Sequence, residues 1–138
     1  MVYRFLYLNF LLFMGCSLFG QTIISAGAYS AEDVTSPNIT ISAAEGLSGF
    51  SSSDAAIALT FTVGESTYNF AVGDVTVSNG SLSSFSGTGS LFTATFTPTT
   101  DGATSIQVLS NSFSDGVGNA NTASNTFTWT KTSNTETE

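Results

Sequence analysis

The stretch Ile57-Ala58-Leu59-Thr60-Phe61-Thr62-Val63 decides the fold. Large apolar side chains at 57, 59, 61 and 63 alternate with Ala and Thr, and successive side chains of an extended strand point to opposite faces. A helix would need its apolar residues three and four apart. The segment therefore reads as a strand with one buried face. The same period recurs on either side of it. Ile39 and Ile41 alternate with Thr40 and Ser42, and Phe92, Ala94 and Phe96 alternate with Thr93, Thr95 and Thr97. Shorter pairs stand at Val75 and Val77, at Ile106 and Val108, and at Phe127 and Trp129. No helical period appears after residue 30.

Turn chemistry separates these segments. Glu45 to Asp54 reads as a Gly- and Ser-rich loop, with Leu47 and Phe50 as lid residues. Gly64 to Tyr68 reads as a turn, after which Phe70 and Val72 lead to Gly73-Asp74. Asn79-Gly80 is the strongest short hairpin signal, because both residues accept positive φ. It predicts a return strand over Ser81 to Phe85, with Leu82 or Phe85 facing inward, and a glycine turn over Ser86 to Ser90. Pro98 closes the next strand, Thr99 to Gly102 is a tight turn, and Phe113 precedes a loop from Asp115 to Asn121. Strands with one apolar face must bury it against another layer. About seven short strands with turns between them predict an all-β, two-layer antiparallel sandwich over residues 37–131. A small closed barrel is the alternative.

Composition sets limits on function. Charged residues are 9% of the chain, against about 25% in ordinary soluble domains, so Ser, Thr, Asn and Gly must carry the polar surface. The net charge is -8, and the two cations are Arg4 and Lys131. Nucleic acid and anionic membrane surfaces are bound through clustered Lys and Arg, so no nucleic-acid partner is expected. The sequence has no His, and its one Cys, Cys16, lies near the N-terminus. That leaves neither the usual zinc ligand sets nor a His-based nucleophilic triad.

Met1 to Arg4, the apolar run Phe5 to Phe19 and the small residues up to Ala28 keep the order of a secretory signal peptide. The organisation expected is a signal peptide over 1–28, a spacer over 29–36, the sandwich over 37–131 and a polar tail over 132–138. This predicts a secreted or cell-surface protein. The alternative to cleavage is an uncleaved anchor, and Gly15-Cys16 partly matches a lipobox, which would place a lipid anchor at Cys16. Phe13 and Met14 depart from that pattern.

The stretch Asn38-Ile39-Thr40-Ile41-Ser42-Ala43-Ala44-Glu45-Gly46 resembles the opening of the bacterial immunoglobulin-like repeats of large secreted and surface proteins. The resemblance continues through Ala58 to Thr62, Asn69-Phe70, Gly73 to Ser78, Gly80 to Phe85, Phe92 to Pro98, Asp101 to Thr104, Asp115-x-x-Gly118-Asn119 and Phe127 to Thr130. It covers Pro37 to Lys131 and keeps the motif order. It implies an immunoglobulin-like sandwich acting as a non-catalytic spacer or adhesive unit, often associated with calcium, whose partners are further repeats or protein or glycan ligands at a cell surface. Two features depart from the pattern. The chain holds one unit where such repeats usually come in arrays, and Gly64-Glu65 stands where Ser-Glu is usual.

Calcium takes six to eight oxygen ligands from carboxylates, amides, backbone and water. Asp115, Asn119 and Asn121 crowd one glycine-containing loop, and Glu65 and Asp74 would join them if their loops gather at the same end. These five residues are the candidate calcium ligands. Asp, Asn and Gly are equally turn formers, and the spacing is not that of a twelve-residue calcium loop. The acids Glu45, Asp54, Glu65, Asp74 and Asp101 fall at predicted turns with no sign of a facing pair, and no residue is expected to be catalytic. The rival reading is a carbohydrate-binding module, for which Tyr68 and Trp129 are the candidate stacking aromatics. Trp129 alternates with Phe127, which places it in the core.

Overall fold

The computed structural model describes residues 31–134. The expected signal peptide, the lipid-anchor candidate Cys16 and the last residues of the polar tail lie outside them. Seven strands run in order: β1 (Ile39–Ala43), β2 (Phe50–Ser52), β3 (Ile57–Thr67), β4 (Val75–Ser78), β5 (Gly80–Pro98), β6 (Gly102–Val108) and β7 (Phe127–Lys131), with a 3-10 turn at Val72–Asp74. They form two sheets, ordered β1-β3-β5 and β2-β7-β6-β4. The architecture is the expected all-β sandwich. Among the described residues, no helix is long and apolar enough to cross a membrane.

The period of two carries straight into burial. Ile57, Leu59, Phe61 and Val63 of β3 all face the core, as do Ile39 and Ile41 of β1, Phe92, Ala94 and Phe96 of β5, Ile106 and Val108 of β6, and Phe127 and Trp129 of β7. Burying one large apolar side chain is worth about 1.5–3 kcal/mol, so these paired faces are what hold the sheets together. Trp129 is fully buried, stacks on Phe50 at 5.9 Å and donates its indole N–H to the Ser52 hydroxyl. At the other side of the core Phe70 touches four rings, those of Phe61, Phe85, Phe92 and Phe113, with centroids 4.9–5.7 Å apart. No buried side-chain polar atom among the described residues lacks a hydrogen-bond partner.

Several local expectations are corrected. Gly64 to Thr67 is not a turn: β3 continues to Thr67, with a register irregularity between Thr62 and Thr67. The loop Glu45 to Asp54 contains β2, which pairs parallel with β7, Phe50 against Trp129, so one ladder of the sandwich is parallel. Phe50 is thereby half-buried in the core, whereas Leu47 is exposed and covers nothing.

Asn79-Gly80 is the most instructive correction. Asn79 does adopt positive φ, 53°, yet it joins no hairpin. The strand before it, β4, pairs with β6 in one sheet, and the strand after it belongs to the other. Asn79 is a crossing between sheets, fixed by its side chain, which accepts from the Thr100 N–H and hydroxyl and donates to the Thr100 and Ala103 carbonyls. The actual fold-back lies within β5. Asn79 O accepts the Thr99 N–H, Gly80 lies against Phe96 and Thr97, and Gly87 lies against Leu91 and Phe92. The long strand thus doubles on itself around Gly87 (φ 145°) and Gly89 (φ 67°), within the glycine turn expected at 86–90. Its returning arm pairs with β3, and Leu82 and Phe85 of the outgoing arm both pack against the core.

Candidate functional site

Asp115 starts the loop after Phe113, and isolated bridges from Thr67 to Asp115 and from Ser114 to Ala120 tie this loop to the end of β3 and to itself. Its carboxylate is turned back on its own backbone. Oδ1 accepts the N–H groups of Val117, Gly118 and Asn119 at 2.7–2.9 Å, and Oδ2 accepts from Asn119 Nδ2 at 2.8 Å. Burial by itself would raise the Asp115 pKa. The bonds from the Asn119 side chain and from the three backbone amides outweigh it and hold the group below the ordinary aspartate value.

Two further carboxylates approach from other parts of the chain. Oxygens of Asp33, Glu65 and Asp115 all lie within 4.8 Å of one another. Glu65 sits near the end of β3, and Asp33 is held in place where Asn119 Nδ2 donates to its carbonyl at 3.0 Å. Desolvation, followed by repulsion from Asp33 and Asp115, pushes the Glu65 pKa above its ordinary value. Of the five expected ligands the structure therefore gathers Asp115, Asn119 and Glu65.

The other two serve elsewhere. Asn121 is buried, its carboxamide oxygen accepts the N–H groups of Ser112 and Phe113, and its Nδ2 donates to the carbonyls of Leu109 and Thr122. Asp74 accepts the Ala71 N–H and closes the 3-10 turn. Asp33 was not among the expected ligands. It falls in a polar stretch with no period, and only the folded chain brings it beside residues far along the sequence.

The aromatic candidates also separate. Trp129 belongs to the core, while Tyr68 is 87% exposed. At the opposite end of β3 from Glu65, the chain leaves the sandwich through β7: Lys131 pairs in register with Gly102, its ammonium bonds the Ser53 carbonyl and it lies 3.5 Å from Asp101.

A family model described as "Bacterial Ig-like domain" matches residues 25–131. The chain belongs to the bacterial Ig-like family. No curated protein and no solved structure gives a match. The family match spans all seven strands and starts upstream of the boundary expected at 37, and in the structure the compact unit of this Ig-like domain begins at Asp33.

The chemistry open to the Ig-like domain at this end is that of hard oxygen donors. Three carboxylates fit the donor type calcium takes. Asp115 brings the least free capacity, because its own loop already donates four hydrogen bonds to it. Glu65 and Asp33 bring the most.

Proposed function

We propose that this Ig-like domain is a non-catalytic, extracytoplasmic spacer and adhesive unit, held extended between the chain segments at its two ends. The observation that carries this reading is the placement of those ends. Pro37 and Asp33 lie with Thr122, Glu65 and Asp115, beside the far end of β3, since Ile39 pairs with Val63. Lys131 lies with Ser53, Asp101 and Gly102, beside the start of β3. At about 3.4 Å per residue, β3 alone separates these ends by some 30 Å or more. A domain that takes the chain in at one end and releases it at the other suits serial linkage.

Calcium belongs to the same proposal. A cation shared by Asp33, Glu65 and Asp115 would join the segment leading into the domain to β3 and to the Asp115 loop, stiffening that junction. The clustering of the three carboxylates and the raised Glu65 pKa support this. The resemblance of the N-terminal segment to a signal peptide supports secretion or surface display.

Single-molecule stretching of the full chain tests the spacer reading. A spacer unit should open in one cooperative event that releases about 30 nm, from roughly 3.5 Å for each residue between 33 and 131. Peeling in several small steps without a force peak would overturn it.

A further inference from the structure

The doubling of β5 leaves an open cleft beside the end of β3, of about 500 Å³, lined by Thr67, Tyr68, Phe70, Gly87, Gly89 and Phe92, with Thr88 at the tip of the fold-back. Its size lies inside the range of about 300–1,000 Å³ usual for small-ligand sites. We propose that this cleft binds the end of a neutral glycan, with Tyr68 as the stacking platform.

Four observations point to that ligand class. Tyr68 is a large aromatic that the fold leaves 87% exposed, although the domain buries its Phe and Trp side chains at 61, 70, 92, 96, 113, 127 and 129 almost completely. Its position is nonetheless supported. A Cβ placed on Gly116 would come 3.0 Å from Tyr68 Cε2, so one edge of the ring rests close over the Asp115 loop. A supported, solvent-facing ring offers a flat apolar surface with a polar hydroxyl at its edge, which matches the C–H face of a pyranose.

The cleft floor, Phe70 and Phe92, is apolar and buried, while the rim offers the Thr88 hydroxyl and the backbone of Gly87 to Gly89. The Thr67 hydroxyl is already committed to the Ser114 carbonyl and Asn69. Finally, among the described residues no titratable group other than the Tyr68 phenol lines the cleft, and Glu65 and Asp115 lie on the elements that flank Tyr68. Those carboxylates disfavour an anionic ligand, and the lining itself offers no charged side chain to pair with a cationic one. A neutral pyranose, with a C–H face for Tyr68 and hydroxyls for Thr88 and the Gly87 to Gly89 backbone, matches this lining.

The test uses the isotopically labelled full chain, titrated with neutral oligosaccharides of β-1,4-glucose, β-1,4-N-acetylglucosamine and α-mannose, and with an oligogalacturonate as the anionic comparison. At least one neutral oligomer should shift the amide resonances of Gly87, Thr88 and Gly89 saturably, and the anionic oligomer should not. Tyr68→Ala should weaken that binding about tenfold or more and leave the melting temperature unchanged, because the ring is exposed. Tyr68→Trp should preserve it. Absence of a saturable shift with every neutral oligomer at millimolar concentration overturns the proposal. So does binding indifferent to Tyr68→Ala, or preference for the oligogalacturonate. The measurement is independent of the stretching experiment: a spacer without this cleft's activity would still open in one event.

Discussion

The side-chain amide of Asn125 hydrogen-bonds both backbone groups of Ile41, accepting its N–H at 2.8 Å through Oδ1 and donating to its carbonyl at 3.0 Å through Nδ2. One amide thus imitates the neighbouring strand that β1 lacks on its outer side. It also ties the segment before β7, in one sheet, to β1 of the other. An exposed strand edge invites pairing with another chain, and this contact occupies part of that edge.

Replacing Asn125 should therefore matter more than its surface position suggests. Asn125→Ala leaves the Ile41 N–H and carbonyl without their partners and should cost about 1–2 kcal/mol, seen as a lower urea midpoint with an unchanged slope. Asn125→Asp should cost at least as much, since a carboxylate still accepts the N–H but sets an acceptor against the Ile41 carbonyl. Equal stability of wild type and Asn125→Asp would show that the contact carries no weight.

The doubling of β5 makes its own prediction about glycines. A Cβ at Gly80 would overlap the Phe96 ring, and one at Gly87 would overlap the Leu91 carbonyl on a backbone with φ of 145°. Gly80→Ala and Gly87→Ala should each destabilise by about 1–3 kcal/mol. Gly73→Ala should be close to neutral, because nothing lies within 4 Å and its φ is ordinary. If Gly80→Ala is as harmless as Gly73→Ala, the two arms of β5 do not meet as described.

The sequence made the sandwich readable because its core is written in strict alternation: β3 and the returning arm of β5 needed only the period of two. What could not be read locally was pairing. Asn79-Gly80 has the conformation of a hairpin turn, but the partners of Val75 and Val77 are Val108 and Ile106, chosen by which sheet could bury them. Phe70 lies outside any strand, so no period marked it as the residue at which four rings meet. At the candidate site, Asp115 and Asn119 were legible as neighbours in one loop. Asp33 was not, since its place depends on the path of the chain before β1. The dual nature of Asp and Asn explains the rest: Asp74 and Asn121 have ligand chemistry, and the fold uses both to satisfy backbone amides.

Glu65 supplies a prediction whose sign depends on calcium. Its folded-state pKa is raised, so without a cation its contribution to stability is fully present below its unfolded value of about 4.3 and is lost as the pH rises through the folded value. Asp115 runs the other way. Its pKa is lowered, so its contribution is present above about 3.9 and is lost as the pH falls through its folded value. In chelator at neutral pH, Glu65→Gln should then raise the melting temperature, and Asp115→Asn should lower it.

In calcium the Glu65 charge becomes an asset. A ligand that binds the folded state alone stabilises it by mass action. Free calcium about a hundredfold above the dissociation constant should raise the wild-type melt by roughly 10 °C or more. Extracellular sites bind at about 0.1–1 mM, so the titration must reach tens of millimolar. Magnesium, which favours rigid octahedral geometry and keeps its water, should do less. Glu65→Gln and Asp33→Asn should both shrink the calcium increment, while Glu65→Gln still melts higher than wild type in chelator. That crossing of the two curves separates a ligand from a turn residue. A wild-type melt identical in calcium and in chelator removes the cation from the proposal and leaves Asp115 as the organiser of its own loop. A Glu65→Gln protein that melts lower than wild type in chelator contradicts the cost assigned to the Glu65 charge.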